Sequence, residues 1–448
     1  MTMTTEPQVA LMVPVRTLAV GRPIPDVQAL ADHLHVAAQV ELSTIPLYMY
    51  ALYSIRTDGY SQWSPPLGVQ RTLTGIVVEE MLHLALARNL MIAIGHGDAI
   101  KFYDPDFIPK FPSAMLNRYK PGDKPTPTIP LHLKSLSTEH VGTFLRVEEP
   151  DHVDSNAAYF EAHPNDPGQY TSLGAFYRAI EKAFVDADAK KEIDWSRAQV
   201  DKQYDRGFWN QFGGGKPVRV DSLKTAKQAL EIIVDQGEGA TGDHKFTPSN
   251  PANPRPGFEE FSHYEKFLRI KEHIEGIGAG NGEADYAVPM DSAEAVWPLL
   301  TDPTVKTLAD APATLSLQNL FNASYCYMLH LLDVLFATSV KDVRKEVVPG
   351  TRRIELFSHR YALERNVIAA MQGILYPIAR MLVGSTIDAG KFKGKRTGPS
   401  FEYYKFDDAS GKSKKQQLME LCEKAMPHFP ELGGEDGVQR QIRLIVDA

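Results

Sequence analysis

Apolar positions recur with a helical period through most of this chain, and stretches rich in polar residues, glycine and proline separate the periodic segments. Between Val27 and Ile55 the residues Leu34, Ala37, Ala38 and Ile45 fall on one stripe, which predicts a long first helix with Asp26 as its N-cap. Pro46 inside it removes one backbone donor and is expected to kink or loosen the helix one turn past Glu41. A second helix is predicted over Gly68 to Ile94, stopping at the breaker Gly95-His96-Gly97. Helical patterns return at Leu173 to Ala189, at Ser222 to Asp235 behind Asp221 as a cap, and at Phe258 to Ile274. They return again at Leu315 to Thr338, Arg352 to Leu382 and, in a short amphipathic piece, Ser413 to Ala425. Between Lys101 and Tyr170 the periodicity fails. Turn clusters PGDKPTPTIP and HPNDPG predict a long insertion with little regular structure beyond a strand or two around Thr143 to Val147.

This pattern predicts a mainly α protein. It divides the chain into a leader over 1–26, a four-helix bundle over 27–280 with insertions at 101–170 and 190–220, and a C-terminal helical region over 281–448 packed on the bundle. The basic stretch KFKGKRTGPSFEYY (391–404) reads as a loop with solvated lysines.

Composition narrows the function classes. The 448 residues carry a formal net charge of −8 with both signs interspersed, which argues against nucleic acid or an anionic membrane as the main partner. Cys326 and Cys422 lie in separate helical patterns, so neither a disulfide framework nor a cysteine-rich zinc site is expected. The first twenty residues lack a basic segment followed by a sustained apolar run, and no stretch approaches the ~20 continuous apolar residues of a membrane span. A cytoplasmic location is expected, with small molecules as partners.

Candidate chemistry comes from two copies of Glu-x-x-His, Glu80-Met81-Leu82-His83 and Glu260-Phe261-Ser262-His263, each inside a predicted helix. Residues three apart on a helix stand ~60° apart around the axis and ~4.5 Å along it, so each pair can grip one region of space. Two such pairs plus one Glu from each of two other helices make the ligand set of a carboxylate-bridged di-metal site. Glu80 and His83 sit among Ile76, Val77, Leu84 and Ala87, on a face that should be buried, where an unpaired carboxylate is costly. Glu79, one step round the helix, reads as a salt-bridge residue or a support for the ligands. On the first helix, Glu41 interrupts the apolar stripe and is the third candidate; His33 and His35, about two turns away, read as satisfied or exposed histidines.

The fourth carboxylate has three candidates: Glu181, Glu231 and Glu238. Because Glu260 and His263 stand at the start of their predicted helix, an antiparallel partner must offer its ligand near its own end, which favours Glu238 over Glu231, two turns or ~10 Å away. Glu181, one turn after Tyr177, is the runner-up.

Several segments resemble the ferritin-like domain family that includes the iminophenyl-pyruvate dimer synthases of bis-indole pathways such as violacein. They are VELSTIPLYMYALYSI, IVVEEMLHLALARNLMIAIG, SLGAFYRAI, IVDQGEGA, EEFSHYEKF, NLFNASYCYMLHLLDVLF and RTGPSFE, spread over roughly residues 27–404. The resemblance implies a ferritin-like four-helix bundle with a metal site, and motif by motif it marks Glu41, Glu80, His83, Glu238, Glu260 and His263. The dimer synthases are longer chains with an additional region, so the resemblance leaves the substrate open.

The leading expectation is a non-haem di-iron oxidase or oxygenase, with two iron ions or a mixed manganese and iron pair. It would use O2 and an electron donor to oxidise a small organic substrate in a biosynthetic pathway. Tyr48, Tyr177 and Tyr264 are candidates for positions around the metal. The alternatives are oxidative coupling of two imine-bearing acids, with Arg88 or Arg178 gripping a carboxylate, a ferroxidase or iron-binding protein, and a non-catalytic helical bundle. Oligomeric state is left open.

Overall fold

The computed structural model describes residues 10–11, 23–60, 64–116, 129–150, 170, 172–205, 216–237, 261–275, 294–347, 352 and 354–448. Its frame is an antiparallel pair of long helices, α1 (Val27–Ser54) and α2 (Pro65–Ala93), which pack on each other along most of their length. Asp26 caps α1 by accepting from the Ala29 amide at 2.8 Å. Pro46 lies inside α1, which continues through it for two more turns. The second helix begins a turn earlier than its apolar pattern indicates, with prolines in the first helical positions, where no amide partner is lost.

Two helical pairs flank this frame. On one side α4 (Leu173–Ala189) pairs with α5 (Leu223–Gly237); α4 leans on α1 and α5 on α2. On the other, α3 (Thr138–Val147) pairs with α6 (His263–Glu275), which also meets α2. Helix α3 corrects the expected strand around Thr143 to Val147. Ser137 caps it by accepting from the His140 amide at 3.1 Å, and Val141, Phe144 and Val147 form a buried helical stripe. β-branched and aromatic residues at helical spacing had the composition of a strand, and tertiary packing on α6 decides for helix. Regular strands do occur in the insertion: β2 (Ser113–Met115) and β3 (Ile129–Leu131) pair there, and β1 (Ala10–Leu11) from the leader joins β2 to complete a small mixed sheet.

Helix starts at α5 and α6 differ from the sequence pattern. Ser222, rather than Asp221, sits at the α5 cap position, and its hydroxyl accepts from the Thr225 amide at 3.4 Å. For α6 the difference matters more. Ser262 and Glu265 form a reciprocal pair, the Ser262 amide donating to Glu265 Oε2 at 2.8 Å and the Glu265 amide to Ser262 Oγ at 3.3 Å. That capping box starts the helix at His263, five residues later than the expected start at Phe258, and Glu260 itself lies outside the described residues.

Beyond the bundle, α7 (Pro312–Ala337) is a core helix surrounded by α8 (His359–Ala370), α9 (Tyr376–Gly384) and α10 (Lys414–Ala425), with α11 (Val438–Leu444) closing the chain. The single helix expected over Arg352 to Leu382 is instead a strand, β5 (Ile354–Ser358), paired with β4 (Val343–Val347), then α8, a π-helical turn at Met371–Leu375, and α9. Ser358 caps α8 and separates strand from helix. Two stretches, Pro312–Ala337 and His359–Gly384, are long and apolar enough by composition to cross a membrane, yet 72% and 44% of their most apolar windows are buried in the protein. Most buried apolar side chains from Ile24 to Ile445 form one contiguous core, with Leu308, Ala311 and Ile387 in a smaller separate cluster.

Candidate metal centre

Five buried ionisable side chains converge between α1, α2, the end of α3 and the start of α6: Glu41, Glu80, His83, Glu148 and His263. Glu41 and Glu80 face each other from the paired long helices, and His83 Nδ1 lies 3.5 Å from Glu41 Oε2 and 3.8 Å from Glu80 Oε2. His263 Nδ1 stands 2.9 Å from Glu80 Oε1 and 3.9 Å from Glu148 Oε1. The imidazole rings are 5.3 Å apart between centroids.

Each ligand candidate is held from behind. Thr44 donates to Glu80 Oε2 at 2.9 Å, and the Tyr177 hydroxyl on α4 donates to Glu41 Oε1. Tyr48 donates to Glu148 Oε1 at 2.5 Å from within an aromatic cluster with Phe144 and Phe267. His83 Nε2 donates to Gln236 Oε1 at 3.0 Å, and His263 Nε2 to Glu79 Oε2 at 3.0 Å, where Lys266 Nζ also donates at 2.5 Å. Both imidazoles therefore turn Nδ1 toward the cluster.

The cluster's electrostatics call for positive charge. Burial pushes Glu41 up to about 7 against the pull of His83, and burial with the adjacent Glu80 pushes Glu148 up to about 8. Burial acts to raise Glu80 too, but His263 and His83 outweigh it and hold it well below the carboxylate range. Burial raises Glu79, yet Lys266 and His263 bring it down to about 2. Both imidazoles resist burial: Glu41 and Glu80 lift His83 to about 10, and Glu80 and Glu79 lift His263 to about 9. Burial and the nearby carboxylates keep the Tyr48 and Tyr177 hydroxyls well above their ordinary value, so both stay protonated donors.

A metal centre fits these residues. Among the described residues, Glu80, His83 and His263 offer ligand atoms within 4.8 Å of one another, all buried. His263 Nδ1 has no hydrogen-bond partner although Glu80 Oε1 is close, because the contact lacks hydrogen-bond geometry. An ion would satisfy that nitrogen and neutralise carboxylates whose burial is otherwise costly by several kcal/mol per ion. Carboxylate and imidazole donors without thiolate suit iron, manganese or zinc.

A protein-family model described as Ferritin-like matches residues 34–272, from the first turns of α1 to α6 and more than half of the chain. The chain belongs to the Ferritin-like family. This ferritin-like chain is 25% identical over 420 residues to dichlorochromopyrrolate synthase of Lentzea aerocolonigenes, a match that covers 85% of the chain and 36% of that relative. It thus spans about a third of the relative's length. A crystal structure of a ferritin-like protein from Caulobacter vibrioides aligns at 21% identity over 70% of this chain and 89% of that one, with a TM-score of 0.39.

Within this ferritin-like bundle, Glu41, Glu80, His83 and His263 meet in one cluster, whereas Glu238 and Glu260 lie outside the described residues. The other carboxylates weighed on α4 and α5 do not reach it: Glu181 is paired with Lys227 at 3.0 Å on the surface, and Glu231 is exposed. Glu148 is the carboxylate that sequence reasoning missed. Its signal is the one that found Glu41, a carboxylate in register with an apolar stripe, since Glu148 follows Phe144 by four residues and Val141 by seven. Reading that segment as irregular hid the stripe. Lys266 was also missed.

A small cavity opens on Glu41, Glu80, His83 and Glu148. Its other walls are Leu173, Gly174 and Tyr177 of α4 and Ile233, Val234 and Gly237 of α5. Neither Arg88 nor Arg178 lines it; Arg88 is buried against Phe102 and Phe336. Tyr264 is half-buried and away from the cavity. His33 is satisfied by the Ala29 carbonyl at 2.7 Å and by Tyr170.

Proposed function

We propose that this protein is a metal-dependent oxidoreductase that uses O2 to oxidise a small organic substrate. Glu41, Glu80, His83, Glu148 and His263 would hold two iron ions or a manganese and iron pair. The observation that carries this reading is the convergence of buried carboxylates and two inward Nδ1 atoms, one without a hydrogen bond, in a cluster of which Glu41, Glu80, His83 and Glu148 face a small cavity. When bound, the metal supplies redox equivalents and a place for O2.

The chain's own residues supply the rest. Tyr177, Tyr48 and Thr44 orient three carboxylates by hydrogen bonds, so the donor set is pre-arranged. Leu173, Ile233 and Val234 make the α4 and α5 side of the cavity apolar, which limits water at the site. Where the substrate supplies two electrons, O2 would be reduced to hydrogen peroxide; reduction to water with insertion of one oxygen would need two more electrons from an external donor.

A second reading, oxidative coupling of two imine-bearing acids, draws support from similarity to a relative named dichlorochromopyrrolate synthase. It requires cationic groups for two carboxylates, and the described cavity wall presents none. Ferroxidase activity needs no apolar access of this kind. The deciding experiment loads the protein with ferrous iron without air, admits O2, and follows oxygen uptake with and without aromatic amino-acid-derived substrates. Substrate-coupled uptake supports the oxidase reading; uptake that only accumulates ferric iron in a large assembly supports ferroxidase.

A further inference from the structure

The two histidines are supported unequally. Both present Nδ1 to the cluster and both donate from Nε2 at 3.0 Å, but His83 donates to the neutral amide of Gln236, while His263 donates to the carboxylate of Glu79. Glu79 is 1% exposed and is not part of the cavity wall. Lys266, one turn after His263 on α6, also donates to the same Glu79 oxygen. α6 thus grips one buried carboxylate of α2 twice.

An imidazole whose outer N–H is accepted by a carboxylate is fixed in tautomer and orientation and becomes a more basic donor at its other nitrogen. An amide oxygen does the same more weakly. Lys266 neutralises Glu79 and keeps it in the outer position instead of turning toward the ligands.

We propose that Glu79, backed by Lys266, is a positioning residue that makes His263 the stronger metal donor, so that the ion touching His263 loads first and is held more tightly than the ion touching His83. This rests on the two-metal reading above. The structure assigns the asymmetry to two residues on different helices, Glu79 and Gln236, which can be exchanged independently.

The test is a Co2+ titration of the metal-free full-length protein against a competing chelator, read by visible absorption. Wild type is expected to fill in two resolved steps. Glu79→Gln should weaken the tight step by about 10–100-fold and shift its absorption band, leaving the weak step in place. Gln236→Glu should strengthen the weak step and narrow the gap; Gln236 is half-buried at the end of α5, so this variant serves even if Glu79→Gln does not fold. Two equal wild-type sites, an unmoved tight step in Glu79→Gln, equal weakening of both steps, or no effect of Gln236→Glu would overturn the inference while the metal reading stands. A wild-type protein that binds no Co2+ would overturn both.

Discussion

Tyr48 on α1 donates its hydroxyl to Glu148 at 2.5 Å, joining residues one hundred positions apart and tying the end of α3 to the paired long helices. Both groups are buried. Tyr48→Phe removes the donor and leaves the carboxyl oxygen unmatched, which should cost about 1–3 kcal/mol in the metal-free protein. Urea unfolding of wild type and variant measures it. An unchanged midpoint and slope would mean that Glu148 finds another partner at no cost.

His140, one face of α3 away from the cluster, gives a pH prediction. Burial lowers it from 6.5 to about 4, its Nδ1 reaches the Ser135 carbonyl at 3.3 Å, and its Nε2 has no partner among the described residues. Between those two values the unfolded imidazole holds a proton that the folded one refuses. Its contribution is therefore complete above pH 6.5 and is lost as pH falls toward 4, by roughly 3 kcal/mol at most. His140→Gln should flatten that part of the stability profile relative to wild type, and parallel profiles would refute the assignment.

Gly398, in the RTGPSFE segment, lies under the ring of Tyr50; a Cβ there would stand 2.5 Å from Tyr50 Cε2. The Gly398 amide also donates to the Tyr50 hydroxyl at 3.1 Å. Gly398→Ala must displace a fully buried ring and should cost about 1–3 kcal/mol, read as a lower thermal midpoint. A variant as stable as wild type would show that the segment can shift freely.

The Ser262 cap places His263 at the first position of α6. Ser262→Ala should cost about 1 kcal/mol of stability and also weaken metal binding, since the ring loses its fixed start point. Loss of stability without any change in Co2+ affinity would separate the cap from the site.

Much of the fold was legible because its main helices are long and periodic: α1, α2 and α4 of the bundle and α7 beyond it sit within a few residues of their apolar patterns. Glu41 and Glu80 stood out because each breaks an apolar face. Where short elements take their form from partners, the pattern misled. Helix α3 is ten residues long with strand-like composition and forms against α6; β5 takes its form from pairing with β4, which helical periodicity does not register. Glu148, an additional carboxylate at the cluster, went unseen for the same reason, since it follows α3 directly. The start of α6 was hidden by the Glu-x-x-His spacing itself, which suggested a helix running through Glu260, whereas Ser262 and Glu265 carry a capping box.

The central claim is that Glu41, Glu80, His83, Glu148 and His263 form a metal centre, and metal per chain by elemental analysis tests it most directly. The protein should be produced with added iron and compared with His83→Ala and His263→Ala, with far-UV circular dichroism to establish that the helices persist. About two metal ions per wild-type chain, falling by at least one in each folded variant, is the expected result. Wild type without tightly held metal after reconstitution, or either alanine variant with the full complement, would contradict it.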